Sequence, residues 1–379
     1  MKRFRTLLLL LLAFLPLATI LAAGFGKVRM GVVLPMKENS SRGAKMVEFY
    51  QGILMAVDSM RHEGIDIEVQ AMHCGSTANQ MDSLLSTNSL HDCDFVIGPL
   101  DAAQVPALAD FCQIHGIRLV VPFATSYAQG KKIPLYYQAS ASYIDTQAAA
   151  AQMFCNTFQK CNYVLIDAED KNNEGQNFMT IFKDQLINRG ASIHALPLSG
   201  ADWAYEGALS PNSHNVVVMN SPSIKALNQL IPRLSEYTSK YPNCKISLIG
   251  YPDWQTYTSF HLDNFYEFDT YIYTTFYRNP LDNRTKVFEQ RFLRWFGCPM
   301  IQTYPRYGMM GFDLAYYFLR GLQIFGDKLE TRHDNMPSYP FQHKFRFERM
   351  AEDGGFVNRH LQIIHYTTRQ TIESITAQP

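Results

Sequence analysis

The residues best suited to recognition chemistry all sit just after short apolar runs. Ala124-Thr125-Ser126 follows Ile117 to Val121 and Pro122. Its small residues permit close approach, and two hydroxyls with backbone donors suit a carboxylate or a carbonyl. The same hydroxyls could equally cap a helix of their own. Gly98-Pro99-Leu100-Asp101 follows Phe95 to Ile97. Leu100 and Asp101 there could meet a ligand, or Asp101 could be the N-cap of a helix over Ala102 to His115. Asn220 and Ser221 follow Val216 to Met219, and Tyr251 and Trp254 follow Ile246 to Ile249. Aromatic rings with a polar tip suit stacking on a sugar or peptide, or they anchor a core.

Catalytic patterns are missing from the sequence. It contains no G-x-S-x-G elbow, no H-E-x-x-H and no P-loop, and Gly24-Phe25-Gly26 precedes a strand instead of opening a dinucleotide helix. The expectation is a protein that is not an enzyme, with no cofactor and no metal. The seven cysteines fit no zinc spacing, since there is no C-x-x-C. Cys74 follows one strand and Cys93 precedes another, which makes them the preferred disulfide pair. Cys112 and Cys298 read as small buried hydrophobes.

The elements that would position these residues alternate regularly. Val28 to Leu34 is a buried-strand run stopped by Pro35. Met46, Phe49, Tyr50, Ile53, Val57 and Met60 then fall on one helical stripe. Strands at Ile65 to Met72, Phe95 to Ile97 and Ile117 to Val121 alternate with helices at Ala78 to Leu90 and Ala102 to His115. Such units require a parallel sheet covered on both faces. After a polar bridge over Lys131 to Ser142 the rhythm restarts. Strands at Tyr163 to Asp167, Ser192 to Leu196, Val216 to Met219 and Ile246 to Ile249 alternate with helices over Asp145 to Phe158, Gln176 to Arg189 and Ser223 to Tyr237. A further helix is expected near Trp203. The last third departs from this, with an aromatic run at Tyr271 to Tyr277 and helices at Arg284 to Phe296 and Gly308 to Phe325. Strands at Lys344 to Met350 and His360 to Tyr366 follow, joined through Gly354-Gly355.

Lys2, Arg3 and Arg5 precede an apolar core at Leu7 to Leu15, and small residues follow at Ala22 and Ala23. Residues 1–23 therefore read as a secretory signal, cleaved or kept as an anchor, and the protein is expected in the periplasm. About 355 residues remain, more than one core usually holds. Lys+Arg and Asp+Glu balance at 34 each, which gives no electrostatic reason to invoke nucleic acid.

The order of these pieces resembles the type I periplasmic binding proteins, the branched-chain amino acid receptors of ABC transporters. Val32-Val33-Leu34-Pro35, Gly52 to Asp58, Val96-Ile97-Gly98-Pro99-Leu100, Val121 to Ser126 and Gly311 to Tyr316 carry the likeness, which covers roughly residues 27 to 370. A narrower likeness is to Bacteroidetes amino acid substrate-binding and peptidoglycan-associated proteins. It rests on Ile249 to Gln255, Tyr304 to Tyr307 and Gly354 to Asn358. The resemblance implies an α/β fold of two doubly wound parallel-sheet lobes joined by three crossovers. Lobe 1 would comprise 27–139 plus 271–335, and lobe 2 would comprise 140–270 plus 336–379. It also implies a receptor that traps a small polar ligand, amino acid, peptide or muropeptide, as the lobes close, for delivery to a membrane permease. In these receptors the loops at Gly98 and Thr125 hold the ligand's α-amine and α-carboxylate. Asp101 stands where serines are expected, which argues against a free amino acid. The alternatives are an envelope scaffold that binds a cell-wall enzyme or peptidoglycan fragment and, more remotely, an exported hydrolase.

Overall fold

The structure, a computed structural model, describes residues 27–170, 175–337 and 339–376. The expected signal segment lies outside them. Among the described residues no helix is long and apolar enough to cross a membrane.

The chain forms two compact units and passes between them three times. Among the described residues one unit holds 27–140 together with Arg278–Asn358, and the other holds Ala141–Tyr277 with 359–376. The first sheet is built from β1 (Lys27–Leu34), β2 (Asp66–His73), β3 (Phe95–Ile97), β4 (Arg118–Val121), β5 (Tyr136–Gln138), β11 (Phe347–Arg349) and β12 (Phe356–Asn358), in the order β11-β12-β5-β4-β3-β1-β2. All pairs are parallel except β11 with β12. Neighbouring residues point to opposite faces, and both faces are apolar. Met30, Val32, Ile97, Val120 and Tyr137 face one core; Val33, Val96, Leu119, Val121 and Tyr136 face the other. That period of two with both phases buried is why these strands read as continuous apolar runs.

On one face lie α1 (Ser41–His62), α9 (Asn283–Phe296) and α10 (Tyr307–Phe325); on the other lie α2 (Ala78–Leu85) and α3 (Val105–His115). The α1 stripe is buried as its spacing predicts, from Met46 through Met60. Ser40 caps its start, accepting from Gly43 N–H at 3.1 Å. Gly116 ends α3 in the left-handed region, at φ +67°.

The second sheet contains β6 (Asn162–Asp167), β7 (Ser192–Pro197), β8 (His214–Met219), β9 (Lys245–Gly250), β10 (Thr270–Thr274), β13 (Gln362–Tyr366) and β14 (Ile372–Thr376), in the order β14-β13-β10-β9-β8-β6-β7. Its helices are α4 (Tyr143–Thr157), α5 (Gly175–Asn188), α6 (Asp202–Ala208), α7 (Ile224–Lys240) and α8 (Thr258–Glu267). Trp203 lies on α6 but is exposed.

Four expectations are corrected. The second crossover does not fall near Thr270, because the aromatic run is β10, which pairs with β9 through Tyr271 opposite Ile249. The third does not fall at the expected 335–336 boundary, because β12 pairs with β5 through Phe356 opposite Tyr137 and keeps residues up to Asn358 in the first unit. The Gly354-Gly355 turn accordingly joins β11 to β12, and His360 to Tyr366 belongs to the other sheet. Nor do Cys74 and Cys93 form a disulfide, since both are free thiols. Cys93 Sγ lies beside Gly31 and 4.0 Å from Gln70 Oε1, and Gly31 pairs with Gln70. Cys74 is four residues further along the same direction, about 13 Å at strand rise, where a bridge needs Cα atoms within about 7 Å.

Candidate functional site

Parallel strands present their carboxyl ends, and the loops that follow, at one edge of each sheet. In the first unit the best-defined of these loops runs from Pro122 to Ser126. Gln138, buried on β5, donates from Nε2 to the carbonyls of Thr125 and Ser140, both at 2.8 Å. Ser140 Oγ donates to the Pro122 carbonyl at 3.0 Å. The loop backbone is thus pinned to β5 while the Thr125 and Ser126 side chains are exposed. The next element is a 3-10 turn over Ala128–Lys132, and no side chain caps it. Helix capping therefore does not account for these hydroxyls. Ala124 is buried beneath them.

Asp101 is not the N-cap of a helix over Ala102 to His115. The segment after it begins as a 3-10 turn at Ala102–Gln104 and becomes helical only at Val105, and the Asp101 side chain caps neither. Its carboxylate instead pairs with the Arg42 guanidinium in the first turn of α1. Glu38 stands 3.6 Å from Arg42 Nε on the other side. Leu100 is half-buried against the α1 core. Gly98 permits the loop's approach: at φ +139° a side chain would be strained, and a Cβ would fall 2.1 Å from the Val33 carbonyl. Gln104, fully buried, donates to the carbonyls of Cys74 at 2.9 Å and Thr77 at 3.0 Å, tying the β2 and β3 loops together. Gln104 and Gln138 were not singled out in the sequence. Their only signal there was a polar side chain beside an apolar run.

In the second unit most expected contacts prove to be structural. Asn220 is buried, accepts from Ala168 N–H at 2.7 Å and donates to Asp167 Oδ1 at 2.9 Å, so it stitches the β6 loop to the β8 loop. Ser221 is fully buried and accepts from Ser223 N–H at 3.2 Å. Tyr251 donates to the Met219 carbonyl at 2.8 Å, with its ring edge-on to Phe178. Trp254 donates to the Pro222 carbonyl at 3.1 Å and lies parallel to Phe265. Gly250 makes room for it, since a Cβ there would meet the indole at 2.2 Å. Both rings are buried in the core with their polar tips engaged by backbone, which removes them as stacking surfaces for a ligand.

A serine, two histidines and an aspartate do meet within this unit. Ser247 Oγ donates to Asp269 Oδ2 at 2.8 Å and lies 2.9 Å from His214 Nε2, and His365 Nε2 is 2.7 Å from Asp269 Oδ1. Ser247 is fully buried and its proton goes to the carboxylate, so the group lacks the order in which a base activates an exposed nucleophile. Burial holds the His214 imidazole below its ordinary value, while the bonds from His365 and Ser247 outweigh burial and lower Asp269.

No protein-family model matches the chain, and no curated protein matches it. Solved structures do. A protein of Rhodospirillum rubrum assigned as a branched-chain amino acid ABC transporter is 13% identical, over 92% of this chain and 100% of that one, with a TM-score of 0.62. An ABC transporter substrate-binding protein from Sphaerobacter thermophilus is 17% identical over 93% and 97%, with a TM-score of 0.53. One from Desulfitobacterium hafniense, solved in complex with Leu, is 14% identical over 92% and 100%, with a TM-score of 0.50. With two mostly parallel seven-stranded sheets and three passages between its units, the chain has the type I periplasmic binding protein fold.

Proposed function

We propose that the chain is an extracytoplasmic solute-binding receptor that holds a small polar ligand, amino acid or peptide-like, for an ABC-type permease. The observation that carries this reading is the loop over Ala124-Thr125-Ser126. Its backbone is anchored by Gln138, and among the described residues neither hydroxyl has a hydrogen-bond partner of its own. Anchored backbone with uncommitted donors is what a carboxylate or carbonyl requires, and little ordering cost remains to be met on binding. The Desulfitobacterium hafniense relative holds Leu, so amino acids are the first class to test. The Asp101–Arg42 ion pair stands where small hydroxyls are expected, so peptides and muropeptides are tested beside free amino acids.

The test is thermal stability of the purified protein against amino acids, short peptides and muropeptides. A ligand at 100 times its Kd should raise stability by about 2.7 kcal/mol. Replacing Thr125 and Ser126 by Ala should abolish that rise without lowering the unliganded Tm. Unchanged affinity in the double variant would remove this loop from the site.

A second reading, an envelope scaffold or regulator that binds a cell-wall enzyme or peptidoglycan fragment, is favoured by two observations. Arg42 and Asp101 satisfy one another at the sheet edge, and Tyr251 and Trp254 are withdrawn into the core. It predicts no stabilisation by any small solute and retention on isolated peptidoglycan.

A further inference from the structure

The amino-terminal edge of the second sheet carries a cavity of about 730 Å³. It is walled by the turn between α4 and β6, the end of α5, the start of β7 and the segment before β8. Asn162 lines it at the first residue of β6, whereas Asp167 ends that strand at the opposite edge, roughly 17 Å away at strand rise. The cavity is therefore separate from the loops that follow β6 and β8.

Its chemistry is one-sided. Lys160, Arg189 and His194 line it with the hydroxyl residues Ser192, Ser210 and Ser213, and no aspartate or glutamate is among the described lining residues. The chain as a whole has equal numbers of acidic and basic residues. Neither Lys160 nor Arg189 forms an ion pair among the described residues, whereas two basic side chains of the neighbouring α6–α7 surface do: Arg233 pairs with Asp202 at 3.2 Å, and Lys240 with Glu206. A concave wall with two unneutralised cations concentrates anions.

Arg189 is also oriented in advance. Nη1 donates to the Cys155 carbonyl at 2.6 Å and Nη2 to Asn156 Oδ1 at 3.0 Å. These bonds use only part of the five-donor guanidinium and fix its plane, so that less freedom is lost when the remaining donors meet an oxyanion. The serine hydroxyls can both donate and accept, which suits sugar hydroxyls. The volume lies within the range of small-molecule sites.

We propose that this cavity is a second ligand site, for a small oxygen-rich anion in which a phosphate or carboxylate meets Lys160 and Arg189 and hydroxyl groups meet the serines. It does not depend on the solute-receptor reading.

The experiment is calorimetric titration of the full chain with glucose 6-phosphate, gluconate and glucose at low salt. Either anion should bind saturably while glucose does not, and comparison of the two identifies phosphate or carboxylate as the recognised group. Lys160 has φ +57°, a conformation that asparagine tolerates, so Lys160→Asn removes the charge while keeping the turn. It should weaken binding by about fivefold, the scale of one exposed charge contact, and added salt should weaken the wild type. Binding should survive in the Thr125→Ala, Ser126→Ala variant. Absence of saturable heat with both anions overturns the proposal. So does an affinity unchanged by Lys160→Asn, or binding lost with Thr125 and Ser126.

Discussion

At the residue scale, the buried polar groups organise this protein, and one of them sets a pH dependence. His333 is held between two tyrosines, with Nε2 at 3.2 Å from the Tyr137 hydroxyl and Nδ1 at 2.9 Å from that of Tyr317. Burial pushes its imidazole down to about 4, against the pull of Glu330 and Asp334 and with some help from Arg349. The folded protein keeps the ring neutral, whereas the unfolded chain takes up a proton below about pH 6.5. The contribution is therefore present above pH 6.5 and is lost as pH falls toward 4, to an extent on the order of 3 kcal/mol. Buried Asp313, raised to about 7, acts in the opposite sense over the same window, so His333 is isolated by difference: in urea denaturation the margin of the wild type over His333→Gln should shrink as pH falls from 6.5 to 4. A slope identical in the variant would assign the acid sensitivity to other groups.

At the element scale, the crossing of α1 with α10 is the tightest contact in the first unit. A Cβ on Gly311 would fall 2.0 Å from the Phe49 carbonyl, and one on Gly52 1.8 Å from that of Gly308. Glu48 on α1, buried and raised above its ordinary value by that burial, accepts from Gly308 N–H at 3.0 Å and so caps the start of α10. Gly311→Ala must push two helix backbones apart and should cost about 1–3 kcal/mol. Gly207, on α6, has open space around it, so Gly207→Ala should leave stability unchanged or raise it by roughly 0.5–1 kcal/mol. Denaturant midpoints of the two variants test the contrast; equal shifts would mean that the crossing is not close-packed.

At the scale of the whole molecule, two separate sheets carry the fold without covalent cross-links. All seven cysteines are free, and burial raises Cys74 to about 12 and Cys93 to about 11. Seven thiols should react with a maleimide in denaturant without reductant, and dithiothreitol should leave Tm unchanged. Fewer reactive thiols would reveal a bridge.

The alternation of apolar runs and helical stripes was legible because burial on both sheet faces demands it, residue by residue and locally. That alone determined two doubly wound α/β units and the position of the Thr125 loop at a strand end. What the tertiary structure decided were matters of partner and pairing. The strand register put β10 and β12 in sheets other than those expected. Asp101 found Arg42, 59 positions away. Tyr251 and Trp254 turned inward, toward carbonyls that only the folded β8 loop supplies. A side chain's type states what it can bond to, but which group it meets depends on contacts between residues far apart in the chain, and a single sequence does not encode those in any local pattern.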